Sequence, residues 1–396
     1  MAVVTLQPGK DKPVRRRHPW IFSGAIRSAS PDASPGEVVD VLDSEGEWLA
    51  RGYYNPRSQI VVRLLTWDRG EPVDRAFWSR RLAASAGARA GFGVGGPTTA
   101  YREVYAESDG LPGLVVDRYG DWLTVQFLTL GVEMRRDLLL ELLVEVFEPH
   151  GVVERSDADG RRHEGLALRS GLAWGEAPPQ DFEILEHGHR FPVDLLGGQK
   201  TGYYLDQREN RRIVSKYGAG RRVLNAFSYT GSFGIYALAG GAAHVTNVDA
   251  SFEALAGAEA AMRLNGFDPD GQGEAIAGDV FQVLRSFRDE GRRFDLVILD
   301  PPKFARSKAE VAGAARGYKD INLLGLGLLA PGGMLATFSC SGVVTPDLFQ
   351  KIVFGASVDA GRDAQIISKL GQGPDHPILL SFPEAEYLKG LLCRVA

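Results

Sequence analysis

Short hydrophobic runs punctuated by proline and glycine make up the first part of the chain, to about residue 68. Residues 37–42 and 59–65 are two such runs, and their valine-rich and leucine-rich composition predicts β-strands. Apolar residues at helical spacing follow over 73–90 and end at a glycine-rich stretch, 91–96. The pattern therefore predicts a β-rich N-terminal domain over residues 1–70, followed by a helix.

The middle of the chain mixes strand and helix periodicities. The apolar runs 114–119 and 122–128 flank Gly120-Asp121, a two-residue turn of the hairpin type. Residues 134–147 carry apolar side chains at helical spacing, and a second hairpin is predicted over 182–195 with its turn at Gly188. Residues 71–196 are therefore predicted to form a small central α+β module.

After about residue 197 strand-like runs alternate with helical segments such as 233–238 and 252–264. The five strand-like runs are 223–227, 244–248, 274–277, 296–299 and 334–338. This alternation is typical of a parallel sheet with helices on both faces. We therefore expect an α/β domain over residues 197–396.

Polar residues follow these runs, at the strand ends where an open parallel sheet binds its ligands. The first run leads into a turn with only Gly231 and Gly234, which is poorer in glycine than a dinucleotide fingerprint. Asp249 lies eighteen positions after Gly231, about where an acidic residue takes the ribose hydroxyls of an adenosine cofactor. Asp279, Asp300 and Cys340 follow the later runs. One such aspartate is often only a helix N-cap, but the whole set indicates a binding site.

Composition limits the possible classes of protein. The chain has 396 residues, a net charge of −5 and two cysteines, Cys340 and Cys393, which excludes a disulfide scaffold or a cysteine-based zinc site. The histidines show no ligand spacing, so we expect no metal site. No apolar run reaches the roughly 18 residues of a membrane span, and the N-terminus lacks the apolar segment of a signal peptide. A cytoplasmic location is the expectation.

Basic residues cluster near the N-terminus despite the net negative charge. Arg15, Arg16 and Arg17 are adjacent and close to Trp20, and Tyr53 and Tyr54 form a second aromatic pair further along the same domain. Basic and aromatic residues together suit contact with an RNA backbone and stacking on its bases. A solvated basic strand beside core aromatics is the alternative interpretation.

The motifs of the last domain resemble those of class I S-adenosylmethionine-dependent methyltransferases. They are Asn225-Ala226-Phe227-Ser228-Tyr229-Thr230-Gly231, Asp249, Asp279, Asp300-Pro301-Pro302-Lys303-Phe304 and Ser339-Cys340-Ser341. More narrowly, the chain is similar to bacterial methyltransferases with a PUA domain that make 5-methylcytosine in large-subunit ribosomal RNA. The similarity extends to 18–24, 109–114, 201–211, 375–377 and 387–390, but Ala261 stands where relatives often carry asparagine.

The resemblance implies a Rossmann-like class I methyltransferase domain, an N-terminal PUA domain and S-adenosylmethionine as cofactor. It implies that Asp249 binds the ribose and that Asp279 with Val280 binds the adenine. Further cofactor contacts are implied for Asn225, Phe227, Ser228, Tyr229, Gly231, Asp300, Asp206 and Gln207. Ribosomal RNA is the implied partner, no membrane is involved, and a homodimer is suggested.

The resemblance also implies how the reaction proceeds. Carbon 5 of cytosine is a weak nucleophile until a thiolate adds to carbon 6, so Cys340 is the candidate nucleophile. Asp300 would hydrogen-bond the base edge, while Lys303 and Phe304 would contact the RNA. Cys393 lies in a terminal strand pattern without polar companions, and we expect it to be packing.

Three other functions fit parts of the sequence. A base N-methyltransferase, acting for example on guanine, also uses a Pro-Pro motif after Asp or Asn but leaves Cys340 unexplained. An NAD-dependent oxidoreductase would share the sheet but lacks its glycine fingerprint here. A non-catalytic RNA-binding protein on the same fold is the third alternative.

Overall fold

The computed structural model describes residues 1–90 and 96–396, so most of the predicted glycine-rich helix end at 91–96 lies outside the described residues. The chain divides into two units. Unit 1 comprises Met1–Ile184, Val193–Tyr203 and Pro374–Ala385. Unit 2 comprises Leu185–Pro192, Tyr204–Gly373 and Glu386–Ala396.

The N-terminal part of unit 1 is a six-stranded sheet, which confirms the predicted β-rich domain. Its strands are β1 (Val3–Leu6), β2 (Trp20–Phe22), β3 (Ile26–Ala29), β4 (Val38–Leu42), β5 (Trp48–Tyr54) and β6 (Ile60–Thr66), in the order β2-β6-β5-β4-β1-β3. The one-turn helix α1 (Lys12–Arg15) carries Pro13 in its first turn, where the fixed φ of proline suits a helix. Buried and partly buried residues alternate along β1 and β4, whereas β5 and β6 are buried over most of their length, and the buried Val, Leu and Ile side chains form a separate small core.

The rest of unit 1 is a five-stranded sheet with helices. Its strands are β7 (Ala100–Tyr105), β8 (Leu114–Tyr119), β9 (Trp122–Phe127), β10 (Gly151–Ser156) and β11 (Arg169–Gly175), in the order β11-β10-β9-β8-β7. Its helices are α2 (Arg75–Ala90), α3 (Leu130–Glu133), α4 (Arg136–Phe147) and α5 (Gly160–His163). The predicted hairpin at Gly120-Asp121 is confirmed, since β8 and β9 pair antiparallel with Tyr119 opposite Trp122.

Tyr53 of β5 packs into the core of the second part of unit 1 and so links the two parts. Its side chain is only 2% exposed, and its hydroxyl donates to the carbonyl oxygen of Pro112. A Cβ at Gly131 would lie 2.1 Å from the Tyr53 ring, so only glycine permits this approach. The predicted stacking of Tyr53 on RNA is therefore wrong, because the ring is enclosed. The boundary predicted at residue 70 falls inside one unit.

A two-stranded hairpin, β12 (Glu183–Glu186) and β13 (His189–Pro192), follows β11 and confirms the second predicted hairpin. Its turn residues His187 and Gly188 have φ values of 48° and 84°. Positive φ at both positions is the type I′ geometry, whose twist matches that of the strands. The predicted boundary at 196/197 differs from the structure, where Leu185–Pro192 already belongs to unit 2.

Unit 2 contains a seven-stranded sheet that confirms the predicted α/β domain. Its strands are β14 (Arg222–Ala226), β15 (His244–Asp249), β16 (Gly273–Ala277), β17 (Phe294–Leu299), β18 (Leu329–Ser339), β19 (Ala364–Gly371) and β20 (Lys389–Val395), in the order β16-β15-β14-β17-β18-β20-β19. β14 to β18 pair in parallel, whereas β20 pairs antiparallel with both β18 and β19. The strand order reverses beside β14, which is where such sheets bind ligands.

The helices of unit 2 are α6 (Arg208–Ser215), α7 (Ser232–Ala239), α8 (Phe252–Leu264), α9 (Pro269–Gln272), α10 (Val280–Asp289), α11 (Val311–Leu328) and α12 (Pro346–Asp359). Several begin at residues that suit a helix start: Ser251 accepts a hydrogen bond from the amide of Ala254, and Thr345 accepts one from Leu348. One face of the sheet packs on α10, α11 and α12, through a cluster that includes Leu284, Ile321 and Phe349. This packing fixes the strand ends that carry the candidate site.

Candidate active site

The carboxyl ends of β14, β15, β17 and β18 meet at one edge of the sheet, because these strands are parallel. Asp249 ends β15, Asp300 directly follows β17, and Cys340 directly follows β18. Leu299 pairs with Ala226 on one side and with Thr337 on the other. Asp300 therefore lies between the loop that follows β14 and the turn that carries Cys340.

The loop after β14, residues 227–231, has a backbone that side-chain-bearing residues rarely adopt. Phe227, Tyr229 and Gly231 have φ values of 59°, 48° and 73°. Such conformations cost of order 1–3 kcal/mol for residues other than glycine and occur mainly at functional sites. A Cβ at Gly231 would also lie 2.7 Å from the Cβ of Ala258, so glycine is required there.

Asp249 holds this loop in place. One carboxylate oxygen accepts a hydrogen bond from the amide of Tyr229 at 2.8 Å, and the other accepts from Ser251 at 2.9 Å. The hydroxyl oxygens of Ser228 and Thr230 are buried and have no partner of their own. Each carboxylate oxygen still has a free lone pair, since it accepts only one of these bonds. The loop thus fits a ligand that supplies hydroxyl and amine groups.

Asp279 and Asn225 have structural partners as well. Asp279 is the N-cap of α10 and accepts a hydrogen bond from the amide of Gln282 at 3.0 Å, while Val280 next to it is buried. Asn225 is 1% exposed and donates to the side-chain oxygen of Asn247 at 2.9 Å. Asn225 therefore links β14 to β15, and its contact with the cofactor stays a prediction.

Asp206 and Gln207 lie in a short 3-10 helix, Leu205–Gln207, and both are buried. Asp206 accepts a hydrogen bond from the Tyr387 hydroxyl, and Gln207 accepts one from Asn210 at 2.6 Å. Both side chains are thus enclosed within unit 2. Their contact with the cofactor stays a prediction. Their sequence neighbour Tyr204 is half-buried instead.

Tyr204 is a site residue that the sequence did not single out. Its ring centre lies 5.4 Å from that of Tyr229. Burial raises the pKa of the Tyr204 hydroxyl, and the charges of Asp300, Asp206, Tyr229 and Cys340 raise it further. Its phenol therefore stays neutral beside these groups and can donate a hydrogen bond. The only sequence signal was its place in the motif at 201–211.

The two cysteines differ as expected. Cys340 is half-buried, whereas Cys393 is 1% exposed inside β20, and burial raises the pKa of its thiol to about 11. Tyr318 of α11 lies under the Cys340 turn, with its hydroxyl 3.0 Å from the Ser341 hydroxyl. Burial raises the pKa of Tyr318, and the nearby Cys340 adds to this. Cys340 is therefore the accessible thiol of unit 2.

Lys303 and Phe304 follow Asp300 on the same loop. Lys303 is exposed. Phe304 is half-buried, and its ring centre lies 4.6 Å from that of Tyr318 and 6.2 Å from that of Phe281. Phe304 thus packs against α10 and α11, which leaves Lys303 better placed than Phe304 for contact with a substrate.

The N-terminal basic cluster is divided between paired and open side chains. Arg15 forms ion pairs with Asp11 and Asp43 at 2.5 Å and 2.6 Å, whereas Arg16 and Arg17 are exposed. Arg17 lies over the ring of Trp67, 5.7 Å from its centre. Arg17 and Trp67 line a cavity of about 470 Å³ in unit 1. Arg16 and Arg17 are thus the open members of the predicted RNA contacts.

Trp20 has packing partners within unit 1. Its indole nitrogen donates to Glu107 at 2.7 Å, and its ring centre lies 4.6 Å from that of Phe382. The guanidinium of Arg63 lies over the same ring at 5.4 Å. These contacts occupy the ring, so the structure does not support the expectation that Trp20 stacks on RNA.

Within residues 1–90 and 96–396, no group of three or more histidine, cysteine, aspartate or glutamate side chains could hold a metal ion. In the same part of the chain, no helix combines the length and apolar character needed to cross a bilayer.

The doubly wound sheet and its strand-end residues define a methyltransferase domain. Residues 162–394 match the family described as S-adenosylmethionine-dependent methyltransferase, and residues 4–67 match the PUA-like domain family. The chain belongs to the S-adenosylmethionine-dependent methyltransferase family, and its cofactor is S-adenosylmethionine. This membership sets aside the NAD-dependent alternative.

Known relatives match nearly end to end. The chain is 48% identical to "Ribosomal RNA large subunit methyltransferase I" of Klebsiella pneumoniae (strain 342), over 99% of this chain and 98% of the relative. It is 49% identical to the protein of the same name from Shewanella amazonensis, over 99% of each. Among solved structures, a methyltransferase from Streptococcus mutans has a TM-score of 0.86 at 24% identity and full coverage of both chains, which shows the shared fold.

Proposed function

We propose that the protein methylates carbon 5 of a cytosine in large-subunit ribosomal RNA, through a covalent bond between Cys340 and carbon 6 of the base. The observation that carries this proposal is the half-buried thiol of Cys340 at the end of β18, beside Asp300 at the end of β17. The name of the relatives, at 48% identity across the chain, supports ribosomal RNA as the substrate.

The covalent route follows from the chemistry of the ring. The Cys340 thiolate adds to carbon 6, which makes carbon 5 nucleophilic like the β-carbon of an enamine. S-adenosylmethionine supplies the electrophilic methyl group. A base then removes the proton from carbon 5, the carbon–sulfur bond breaks, and the thiolate is restored. A carboxyl group at Asp300 can hydrogen-bond the base edge and stabilise the charge that develops on the ring.

The remaining roles follow the geometry of the loop 227–231. Its backbone and the unpartnered hydroxyls of Ser228 and Thr230 would contact the cofactor, and Asp249 would bind the ribose. Asp279 and Val280 at the start of α10 would contact the adenine. Arg16, Arg17 and Lys303 would contact the RNA backbone, because they are exposed cations.

A fluorinated substrate tests the covalent step. Fluorine in place of the hydrogen on carbon 5 blocks the final elimination, so enzyme, S-adenosylmethionine and 5-fluorocytosine RNA should accumulate as an adduct that survives denaturation. Cys393→Ala is the matched control and should still form the adduct, since Cys393 is buried in β20. Cys340→Ala should form no adduct and should not methylate RNA.

The alternatives predict other results. Methylation by Cys340→Ala would favour the N-methyltransferase, and mass spectrometry of the nucleosides would identify the modified base. A wild-type protein that binds both RNA and S-adenosylmethionine but methylates no ribosomal RNA would support the non-catalytic alternative.

A further inference from the structure

A buried lysine lies directly beneath the turn that carries Cys340. Lys389 is the first residue of β20, and its side chain is 5% exposed. Its ammonium group donates to the carbonyl oxygens of Ser341 at 2.6 Å and Val344 at 2.7 Å. A buried ammonium group is costly unless it is hydrogen-bonded, and here two of its three N–H groups are satisfied.

The strand register brings this lysine to Cys340. β18 and β20 are antiparallel, and Ser339 lies opposite Lys389. Residues opposite each other in such a pair have their side chains on the same face of the sheet. The lysine therefore reaches past the end of β18 to the carbonyl of the residue that follows Cys340. Its two hydrogen bonds, to the carbonyl oxygens of Ser341 and Val344, hold the turn in place.

The charges around Lys389 identify Cys340 as its electrostatic partner. Burial lowers the pKa of Lys389 to about 8, which leaves the group mostly protonated at neutral pH. Among the neighbouring charges, the thiolate of Cys340 does most to raise the pKa of Lys389. Glu386 also raises this pKa, whereas Lys303 lowers it. Because a pairwise electrostatic interaction is mutual, the ammonium form of Lys389 favours the thiolate form of Cys340 equally.

Two tyrosines and an aspartate near Cys340 carry no positive charge. Cys340 acts on the phenols of Tyr204 and Tyr318, and burial raises the pKa of both, so they remain neutral. Asp300 faces Tyr204 and is itself an acid. A thiolate is the reactive form of cysteine, and a nearby cation is one of the usual means of producing it.

We propose that Lys389 is a positioning residue for Cys340, whose ammonium group both fixes the turn that carries the thiol and stabilises the thiolate before RNA binds. The proposal rests on the proposed function only in taking Cys340 as the nucleophile. Lys389 is not assigned a contact with the substrate. Its effect is expected on the reactivity of the thiol and on kcat, with the KM for S-adenosylmethionine unchanged.

Alkylation of the thiol tests this directly. In a Cys393→Ala protein Cys340 is the only cysteine of the chain, so the pH dependence of its reaction with iodoacetamide reports its pKa. We expect a midpoint below the value of about 8.5 for free cysteine. Lys389→Met should raise the midpoint by about one pH unit or more and slow alkylation at pH 7 about tenfold. Lys389→Gln, which keeps a donor for the turn but no charge, should raise it similarly.

A matched control removes a charge elsewhere in unit 2. Lys351 on α12 pairs with Asp347 at the surface, and Lys351→Met should leave the midpoint unchanged. An unchanged midpoint in folded Lys389→Met or Lys389→Gln would overturn the proposal. If neither variant folds, a midpoint at or above about 8.5 in the parent overturns it as well.

These measurements need neither RNA nor methyl transfer, so they separate this proposal from the proposed function. Failure of the proposed function appears as methylation by Cys340→Ala, whatever the thiol titration shows. Failure of the Lys389 proposal appears as an unperturbed thiol in a protein whose Cys340 still forms the adduct.

Discussion

Two substitutions of Asp249 should distinguish its support of the loop from its proposed contact with the cofactor. The side chain supports the loop through the amides of Tyr229 and Ser251, at 2.8 Å and 2.9 Å, and is proposed to bind the cofactor ribose. Asp249→Ala removes both roles, whereas Asp249→Asn keeps the shape and one acceptor oxygen but loses the charge. Asp249→Asn is therefore the more informative variant.

The expected magnitude follows from the bonds involved. A hydrogen bond to a charged group contributes about 1.5–3 kcal/mol, so the lost ribose contact should weaken S-adenosylmethionine binding roughly tenfold to hundredfold. Asp249→Ala should show at least this loss. It should also lower the free energy of unfolding by about 1–3 kcal/mol, because two amides lose their acceptor. The half-buried position lets water replace part of that loss.

Isothermal titration calorimetry with S-adenosylmethionine measures the affinity, and urea unfolding measures the stability. Ser251→Ala provides the matched control, since it removes the N-cap bond to Ala254 at 3.1 Å and should cost about 1 kcal/mol of stability. Its cofactor affinity should match that of the wild type. Wild-type affinity in Asp249→Asn, or an equal loss in Ser251→Ala, would refute the ribose assignment.

Two further predictions concern RNA binding and pH. Arg16→Ala with Arg17→Ala should weaken ribosomal RNA binding and make its salt dependence shallower by about one per lost phosphate contact, leaving S-adenosylmethionine affinity unchanged. Arg15→Ala should have a smaller effect, because Arg15 is already paired with Asp11 and Asp43. RNA binding by the double variant as tight as that of the wild type would contradict this role. A hydrogen bond with His187 and the nearby Arg212 lower the pKa of Glu209 to about 2. Its contribution to stability is then full above about pH 4.5 and is lost as the pH falls towards 2. The difference in melting temperature between wild type and Glu209→Gln should shrink over that range, and a difference independent of pH would argue against it.

Local periodicity determined most of the elements. Helix α8 was predicted over 252–264 and is found at Phe252–Leu264, because its apolar residues repeat at helical spacing from a serine N-cap. The five parallel strands and both hairpins were likewise predicted, since buried strands and turn residues leave signals within a few positions. The strand-end residues followed, as parallel strands bring their carboxyl ends to one edge.

Tertiary structure alone decided how those residues are used. Lys389 reaches Ser341 across 48 positions of sequence, and Tyr387 reaches Asp206 across 181, and no local pattern encodes such pairs. Burial likewise placed Tyr53 inside a core, where it cannot stack on RNA, and Asn225 between β14 and β15. The physical reason is that a side chain's exposure and charge partners depend on which strands pair, and packing over the whole unit determines that pairing.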